Sequence, residues 1–281
     1  MSDNSGSIVK SCMMNFQKWL GSYRVLVIFL MEFLYFCVAT DDVRQFLVQE
    51  NENIGISCYY FVLWCSSVYG RLIMMIGLIL LFCNAPFTDE QQLFVMIRLG
   101  KWKWFLGQIM YIVLGSVVYF LIMVLFNIIR FLPYVGFSLE WGDILYAWNL
   151  HGPLKKAMEI LDYYQPVEAM TLCFTICVLT GIFFGLFLLF INMKKSGMLG
   201  IAVLVCWSAC SLLLDGMPEK IKIMVVHLCP SEWSWLDYYV NRYYNISYGY
   251  TYGFLIVGIL ALIIGIFLRV KKCDIAIVEN I

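Results

Sequence analysis

An all-α, polytopic membrane fold with six transmembrane helices is predicted by three features of the sequence. First, hydrophobic residues make up 62% of the 281 residues and charged residues 14%, whereas soluble domains average roughly 45–50% and 25%. Second, there are six long apolar stretches, and a helix of about 20 apolar residues crosses a hydrocarbon core about 30 Å thick. Third, basic residues gather on one side of these stretches. Little of the chain is left for a separate soluble catalytic domain.

The apolar stretches set the boundaries of the predicted helices. In chain order the predicted crossings are Tyr23–Thr40, Val62–Asn84, Trp104–Phe131, Met170–Asn192, Met198–Leu214 and Tyr252–Arg269. No small-residue cleavage site follows the first stretch, so it is predicted to remain as an anchor. Residues 1–22 are predicted to form an amphipathic cytosolic segment, residues 23–269 the membrane domain, and residues 270–281 a cytosolic tail.

The distribution of charge predicts the orientation. The short segments assigned to the inner side carry Lys10, Lys18, Arg24, Arg98, Lys101, Lys103, Lys194, Lys195, Arg269, Lys271 and Lys272. The segments assigned to the outer side carry many of the acids, among them Asp41, Asp42, Glu50, Glu52, Glu140, Asp143, Glu159, Asp162, Asp215 and Glu219. Because short cytosolic loops are enriched in Lys and Arg, both termini are expected in the cytosol. Lys155 and Lys156 are exceptions, but they lie in a longer connection, where the rule is weaker.

The inner segment between the second and third crossings is predicted to form a short surface helix. Thr88 and Gln91 have the spacing of a capping box, and Asp89 and Glu90 would lie in the first turn, where the helix dipole favours acids. An apolar stripe follows, and its members are Leu93, Phe94, Met96 and Ile97. Gly100 is a natural helix stop. Such a helix could lie on the lipid headgroups or could dock a soluble partner.

A few short motifs around this segment resemble a known family. They are Ala85-Pro-Phe87, Ile97-Arg-Leu-Gly100, Trp104, Gly107-Gln-Ile109 and Pro166-Val-Glu-Ala169. Together with the six-crossing layout, they resemble bacterial ABC-transporter permeases of the type-2 export class. The resemblance implies a multi-pass protein of the bacterial plasma membrane that exports an amphipathic or hydrophobic substrate, such as a peptide antibiotic, a lipid-like molecule or a drug.

The resemblance also implies partners and site residues. The inner helix would be the coupling helix, seated on a separate ABC ATPase subunit present in two copies, with residues 11–21 as a connecting helix beside it. The residues expected to carry this contact are Asp89, Glu90, Gln91, Phe94, Arg98 and Gly100. A second permease subunit, identical or paralogous, would complete the path. ATP and Mg²⁺ would bind to the ATPase subunit, because this chain contains no Gly-x-x-x-x-Gly-Lys-Ser/Thr loop. Neither a cofactor of its own nor a nucleic-acid partner is expected.

Two other function classes compete with a permease. A membrane enzyme is disfavoured because His151 and His227 both lie outside the crossings, and neither His-Glu-x-x-His nor Gly-x-Ser-x-Gly occurs. A non-transporting membrane scaffold or an immunity protein remains as the alternative. A scaffold has no need of a coupling helix, whereas a permease requires one.

Two charged residues fall within the predicted crossings. Glu32 lies about eight residues inside the first crossing, and Arg71 lies inside the second, because Leu72–Asn84 is too short to span the membrane. An unpaired charge at mid-membrane costs at least about 2.5–3.5 kcal/mol, so intramembrane charges usually pair or face water. A Glu32–Arg71 ion pair that fixes the packing of the first two crossings is therefore expected. Alternatively, one of the two residues lines the substrate path.

Cysteines and aromatic residues each allow two interpretations. Cys173 and Cys177, like Cys206 and Cys210, are four residues apart and share a helix face. Such pairs could hold a soft metal ion, or they could simply fill helix contacts as small apolar residues. The aromatic residues between Trp233 and Tyr252 could form an interfacial belt or a stacking surface for an amphipathic substrate.

Overall fold

The computed structural model of the chain describes residues 2–49, 55–86, 97–98, 100–142, 158–193, 197–241 and 243–272. These residues are predominantly helical. The helices are α1 (Ser2–Gly21), α2 (Tyr23–Ala39), α3 (Asp41–Gln49), α4 (Tyr60–Ser66), α5 (Val68–Phe82), α6 (Lys101–Phe131), α7 (Met158–Tyr163), α8 (Pro166–Asn192), α9 (Gly197–Ala209), α10 (Glu219–Leu228), α11 (Asp237–Val240) and α12 (Tyr248–Lys272). Segments Cys210–Gly216 and Pro230–Glu232 are 3-10 helical. A two-residue parallel pairing joins β1 (Ile56–Ser57) to β2 (Val135–Gly136).

Within the described ranges, three helices are long and apolar enough to cross a membrane, namely α6, α8 and α12. Two bent pairs raise the number to five if each pair counts as one span: α1 with α2, bent by 65°, and α4 with α5, bent by 97°. The segment Met198–Leu214 is apolar but shorter than a full span. An all-α fold with several possible membrane helices is thus confirmed, while the number six and the positions of the termini stay predictions.

The second predicted crossing is broken at Ser67. This residue has an extended backbone (φ −75°, ψ 124°), and its hydroxyl accepts a hydrogen bond from the Gly70 N–H, as an N-cap does. Gly70 is required at the corner because a Cβ there would lie 2.9 Å from the Trp64 carbonyl oxygen. A single helix through Val62–Asn84 was expected, so the structure corrects that prediction: α5 starts at Val68, and Arg71 lies in its first turn.

Helix α8 is the central helix of the bundle. It packs against α4, α5, α6, α9 and α12, and most of its apolar length is buried, whereas α12 buries little. Glycines on α8 allow this close packing; a Cβ at Gly185 would lie 3.1 Å from the Phe82 ring. In contrast, α2 and α12 present apolar outer faces, with Val38 76% and Val257 66% exposed. Such faces suit contact with lipid.

Helix α1 docks along the first turns of α6. The Trp19 Nε1–H donates to the Tyr111 hydroxyl at 2.6 Å, and the Asn15 amide contacts Gln108 at 3.4 Å. Gly107 permits this approach, since a Cβ there would lie 2.6 Å from the Ser11 hydroxyl oxygen. The Gly107-Gln-Ile109 motif therefore has a defined structural role: its first two residues face α1.

Adding a methyl group at Gly107 is expected to weaken the docking of α1. In Gly107→Ala the new Cβ would overlap Ser11, and overpacking of this kind costs about 1–3 kcal/mol. Cys12, which is 1% exposed, should then react faster with a maleimide, as measured by mass spectrometry of its peptide. Gly253→Ala is the matched control, because no atom of the residues that the structure describes lies within 4 Å of a Cβ at that position. Equal labelling of Cys12 in both variants would contradict the prediction.

Candidate functional site

The predicted coupling residues lie mostly outside the part of the chain that the structure describes. The residues outside the described part are Asp89, Glu90, Gln91 and Phe94. Arg98 and Gly100 are described, and both are exposed. Gly100 has φ 83°, a left-handed conformation that glycine adopts without strain, and it directly precedes α6. Gly100 is therefore the N-cap of α6 in a backbone conformation that favours glycine.

The beginning of this inner segment is bound to the end of the central helix. Asn192, the last residue of α8, donates from its amide nitrogen to the Cys83 carbonyl at 3.0 Å and to the Ala85 carbonyl at 2.6 Å. These carbonyls lie at the end of α5, where the helix leaves carbonyl oxygens without intrahelical donors. The Arg24 guanidinium also contacts the Cys83 thiol at 3.2 Å. The inner segment thus starts from a point shared by α2, α5 and α8.

Several helix ends that were predicted to lie on the inner side meet at this end of the bundle. Near the end of α12, the Arg269 guanidinium lies over the Phe190 ring of α8, with its Cζ atom 3.3 Å from the ring centroid. It also donates a hydrogen bond to the Phe190 carbonyl. At the start of α6, Trp102 packs against Phe267 of α12 with ring centroids 4.9 Å apart. The basic ends of α6 and α12 are therefore neighbours of the Asn192 contact.

Two cavities flank the bend between α1 and α2 at the same end. One, of about 770 Å³, has an apolar lining that includes Phe29, Phe33 and Phe126. The other, of about 440 Å³, has a more polar lining that includes Arg24 and Asn84. Trp19 borders both cavities. The bend therefore lies next to open space.

Loss of the Asn192 amide is expected to loosen the start of the inner segment. Asn192→Leu would leave the Cys83 and Ala85 carbonyls without their donor, at a cost of about 1–3 kcal/mol. In detergent solution, trypsin should cleave the Asn192→Leu variant after Arg98 faster than it cleaves the wild type. Asn127→Leu is the control, because among the described residues the Asn127 amide bonds only to the Met123 carbonyl of its own helix. A cleavage rate at Arg98 that is the same in both variants would argue against this role for Asn192.

Glu32 is buried between α2, α5 and α6. Its carboxylate accepts a hydrogen bond from the Tyr119 hydroxyl at 2.9 Å, and the same hydroxyl lies 2.8 Å from the Met74 carbonyl. Gly77 makes room for the carboxylate, since a Cβ there would overlap Glu32 Oε1 and lie 2.7 Å from the Tyr119 hydroxyl. The side chain is therefore held by Tyr119 in a place that only a glycine on α5 leaves open.

Arg71 binds both the preceding helix and a distant acid. Its Nη1 donates to the carbonyls of Cys65 and Ser66 at 2.7 and 3.0 Å, which are the last carbonyls of α4. Its Nη2 lies 2.6 Å from Glu232 Oε2, and both side chains are fully buried. The guanidinium also lies 5.2 Å from the centroid of the Trp235 ring. Arg71 thus caps α4 at the 97° bend and carries an ion pair there.

Tyr238 completes the environment of this ion pair. Its hydroxyl donates to Glu232 Oε2 at 3.0 Å. Burial, followed by the nearby negative charge of Glu232, raises the pKa of Tyr238. The phenol therefore keeps its proton and remains a donor to the carboxylate.

The expected Glu32–Arg71 pair is corrected by these contacts, since each residue has a different polar partner. The physical reason is position along α5. Glu32 lies opposite Gly77, which is six residues after Arg71, a rise of roughly 9 Å. The break at Ser67 turns Arg71 toward α4 and the 229–238 connection instead.

Three residues of these sites were missed by sequence reasoning. Glu232 lies in a segment assigned to the outer surface, yet Pro230–Glu232 is entirely buried. The available signal was an acid in the sequence Pro230-Ser-Glu-Trp233, between a proline and a tryptophan. Asn192 is a lone amide at the end of an apolar stretch, which is a position where a capping role can be suspected. Tyr119 gives no signal, because it is one aromatic residue among many.

The aromatic connection before α12 is partly core rather than a surface belt. Trp233 and Tyr238 are buried, and the Trp233 Nε1–H donates to the Val226 carbonyl at 2.8 Å. Tyr239 and Tyr248 stack with ring centroids 4.1 Å apart. Tyr243 and Tyr250 are exposed. Only part of this aromatic set could therefore contact a lipid headgroup or a substrate.

Comparisons with known proteins add no assignment. No family model matches the chain, and neither a curated protein nor a solved structure is significantly similar to it. The residues and their geometry are therefore the basis for inferring what this membrane protein does.

Proposed function

We propose that the chain is the transmembrane permease subunit of an ATP-driven ABC exporter in the bacterial plasma membrane. The observation that carries the proposal is the attachment of the inner segment to the central helix. Asn192 at the end of α8 holds the Cys83 and Ala85 carbonyls, where the segment carrying the predicted coupling residues begins. Ala85, which begins one of the motifs that resemble type-2 export permeases, is itself bound by Asn192.

This attachment offers a route from the inner segment to the helices of the bundle. A push on the segment from a partner would act at its beginning on α5 and, through Asn192, on α8. At its end, Gly100 leads directly into α6. Because α8 packs on both α5 and α6, movement of packed helices against one another would follow, as in hinge and shear motions.

The amphipathic helix α1 supports the same interpretation. It lies against the start of α6 and is bent by 65° from α2, as expected for a helix that lies in the membrane interface before the first crossing. In the proposed exporter it is the connecting helix next to the ATPase contact. Arg98 and Gly100, which come just before α6, are exposed and would face a soluble subunit.

The proposal includes partners that supply what this chain lacks. Two copies of an ABC ATPase subunit would bind ATP and Mg²⁺, and a second permease, identical or paralogous, would complete a multi-pass assembly. The substrate class that fits an apolar bundle is an amphipathic or hydrophobic molecule, such as a peptide antibiotic, a lipid-like compound or a drug. This chain itself would carry no catalytic residue.

Co-purification of an ATPase tests the proposal. The tagged chain is purified from its native membranes in mild detergent, and the partners are identified by mass spectrometry and assayed for ATP hydrolysis. A subunit with a Walker loop is expected with the wild type. The Phe94→Asp/Arg98→Glu variant should lose that subunit and its ATPase activity.

A charge reversal on the opposite side of the membrane is the control. Lys220→Glu changes an exposed residue at the start of α10, which was predicted to lie outside, and should retain the ATPase. Absence of an ATPase from gently solubilised wild type would favour a non-transporting scaffold or immunity protein. Loss of the ATPase from both variants would point to misfolding and would remove the support for the coupling segment.

A further inference from the structure

Three buried cysteines converge beside the α4–α5 bend. Cys65 belongs to α4, and Cys173 and Cys177 lie one turn apart on α8. Their Sγ atoms all lie within 4.8 Å of one another, and those of Cys65 and Cys177 are 4.0 Å apart. All three side chains are fully buried. The sequence indicates only the pair on α8, and the fold adds a third thiol from a residue more than 100 positions away.

The separation of these sulfur atoms matches a three-coordinate metal site. A metal–thiolate bond is about 2.3 Å long, so three sulfurs around one ion in a trigonal plane are about 4.0 Å apart. The Cys65–Cys177 distance already has this value. Small side-chain rotations would bring the third sulfur to the same distance, because 4.8 Å is the upper limit within the set.

The composition of the cluster selects the type of ion. Among the residues that the structure describes, no histidine, aspartate or glutamate joins the three cysteines as a fourth ligand. Structural zinc sites are almost always four-coordinate, whereas soft thiolate sets also select Cu(I). A set of three thiolates without nitrogen or oxygen ligands therefore favours a soft monovalent ion.

The surroundings of the cluster supply further polar contacts. The Cys173 thiol lies 3.4 Å from the Ser234 carbonyl, in the connection that also carries Glu232. The Cys65 carbonyl accepts a hydrogen bond from Arg71. Ligation releases thiol protons and leaves negative charge on the sulfurs. The Arg71 guanidinium is close enough to stabilise that charge, and such outer contacts hold metal ligands in place.

We propose that Cys65, Cys173 and Cys177 form a trigonal thiolate site that binds one Cu(I) ion. The ion would link α4 to α8 next to the bend that Arg71 holds. This would tie the bend to the central helix of the bundle. The inference does not depend on the exporter proposal, because it concerns only the folded chain.

Cu(I) binding by the purified full-length chain tests the site. The reduced protein, in detergent and without oxygen, is incubated for hours with Cu(I) buffered by bicinchoninate, since the buried thiols will load slowly. One ion per chain is expected to resist the chelator. X-ray absorption should show three sulfur neighbours at about 2.3 Å.

The second cysteine pair provides the matched control. Cys206 and Cys210 are also four residues apart, but they lie outside the cluster, and Cys206 is exposed. Cys206→Ser/Cys210→Ser should keep the ion, while Cys65→Ser and Cys177→Ser should weaken binding at least 100-fold. If a cluster variant fails to fold, the absorption spectrum of the wild type still decides. The proposal would be overturned if the wild type retains no ion or shows two sulfur neighbours. It would also be overturned if the control variant Cys206→Ser/Cys210→Ser loses the ion.

Discussion

Replacing Arg71 by glutamine is expected to destabilise the protein by about 3–5 kcal/mol, because the Glu232 carboxylate would be left buried without its counter-charge. The same substitution would remove the donors to the last carbonyls of α4 at the bend. Unfolding in mixed detergent and denaturant, followed by the fluorescence of the nine tryptophans, would measure the loss.

A double-mutant cycle separates the ion pair from the capping role. Glu232→Gln alone should also be costly, since it leaves the Arg71 charge buried without its acid. The double variant Arg71→Gln/Glu232→Gln should be more stable than the sum of the single changes predicts, by at least 1 kcal/mol, as coupled neighbours show. Additive effects would contradict a direct interaction between the two residues.

The Arg130–Asp41 pair is the matched control for burial. Its Nη2–Oδ1 distance is 2.9 Å, against 2.6 Å in the buried pair; the Arg130 side chain is 8% exposed, but the Asp41 side chain is 52% exposed. Because water reaches the Asp41 carboxylate and screens the pair, Asp41→Asn should cost only about 0–1 kcal/mol. A similar loss in Asp41→Asn and Glu232→Gln would mean that burial does not set the strength of these pairs.

Introducing alanine at Gly77 is expected to be the second most damaging change. The new methyl group would overlap the Glu32 carboxylate and press on the Tyr119 hydroxyl. Overpacking costs about 1–3 kcal/mol, and displacing Glu32 from its hydrogen bond with Tyr119 would add to that loss. The free energy of unfolding, measured in the same denaturant assay, should fall accordingly.

A second-site suppressor gives this prediction a sharper test. Shortening the acid in Gly77→Ala/Glu32→Ala would free the space that the methyl group needs. The double variant should therefore be more stable than Gly77→Ala alone, even though Glu32→Ala by itself removes a buried hydrogen bond. A double variant that is less stable than both single variants would mean that the clash does not involve Glu32.

For the second predicted crossing, local sequence patterns predicted the end of the helix but not the break within it. The apolar run predicts a helix that ends before Pro86, and α5 does end at Phe82. The break at Ser67 was not predicted, although Ser66 and Ser67 are a recognisable capping signal before Gly70. An apolar run long enough to span the membrane outweighed that signal. In the structure, tertiary contacts to Arg71 stabilise the bend.

The sequence by itself determined the class of the protein: an all-α membrane chain whose apolar stretches are long enough to form crossings. Those properties depend on composition and on neighbours a few residues apart, and the bilayer imposes them on any spanning helix. Only the tertiary structure decided which polar residues meet. Arg71 and Glu232 are 161 positions apart, and Cys65 joins Cys177 across 112 positions. Helical periodicity assigns a residue to a face of its own helix, but contacts between helices depend on how bends and glycines let them pack.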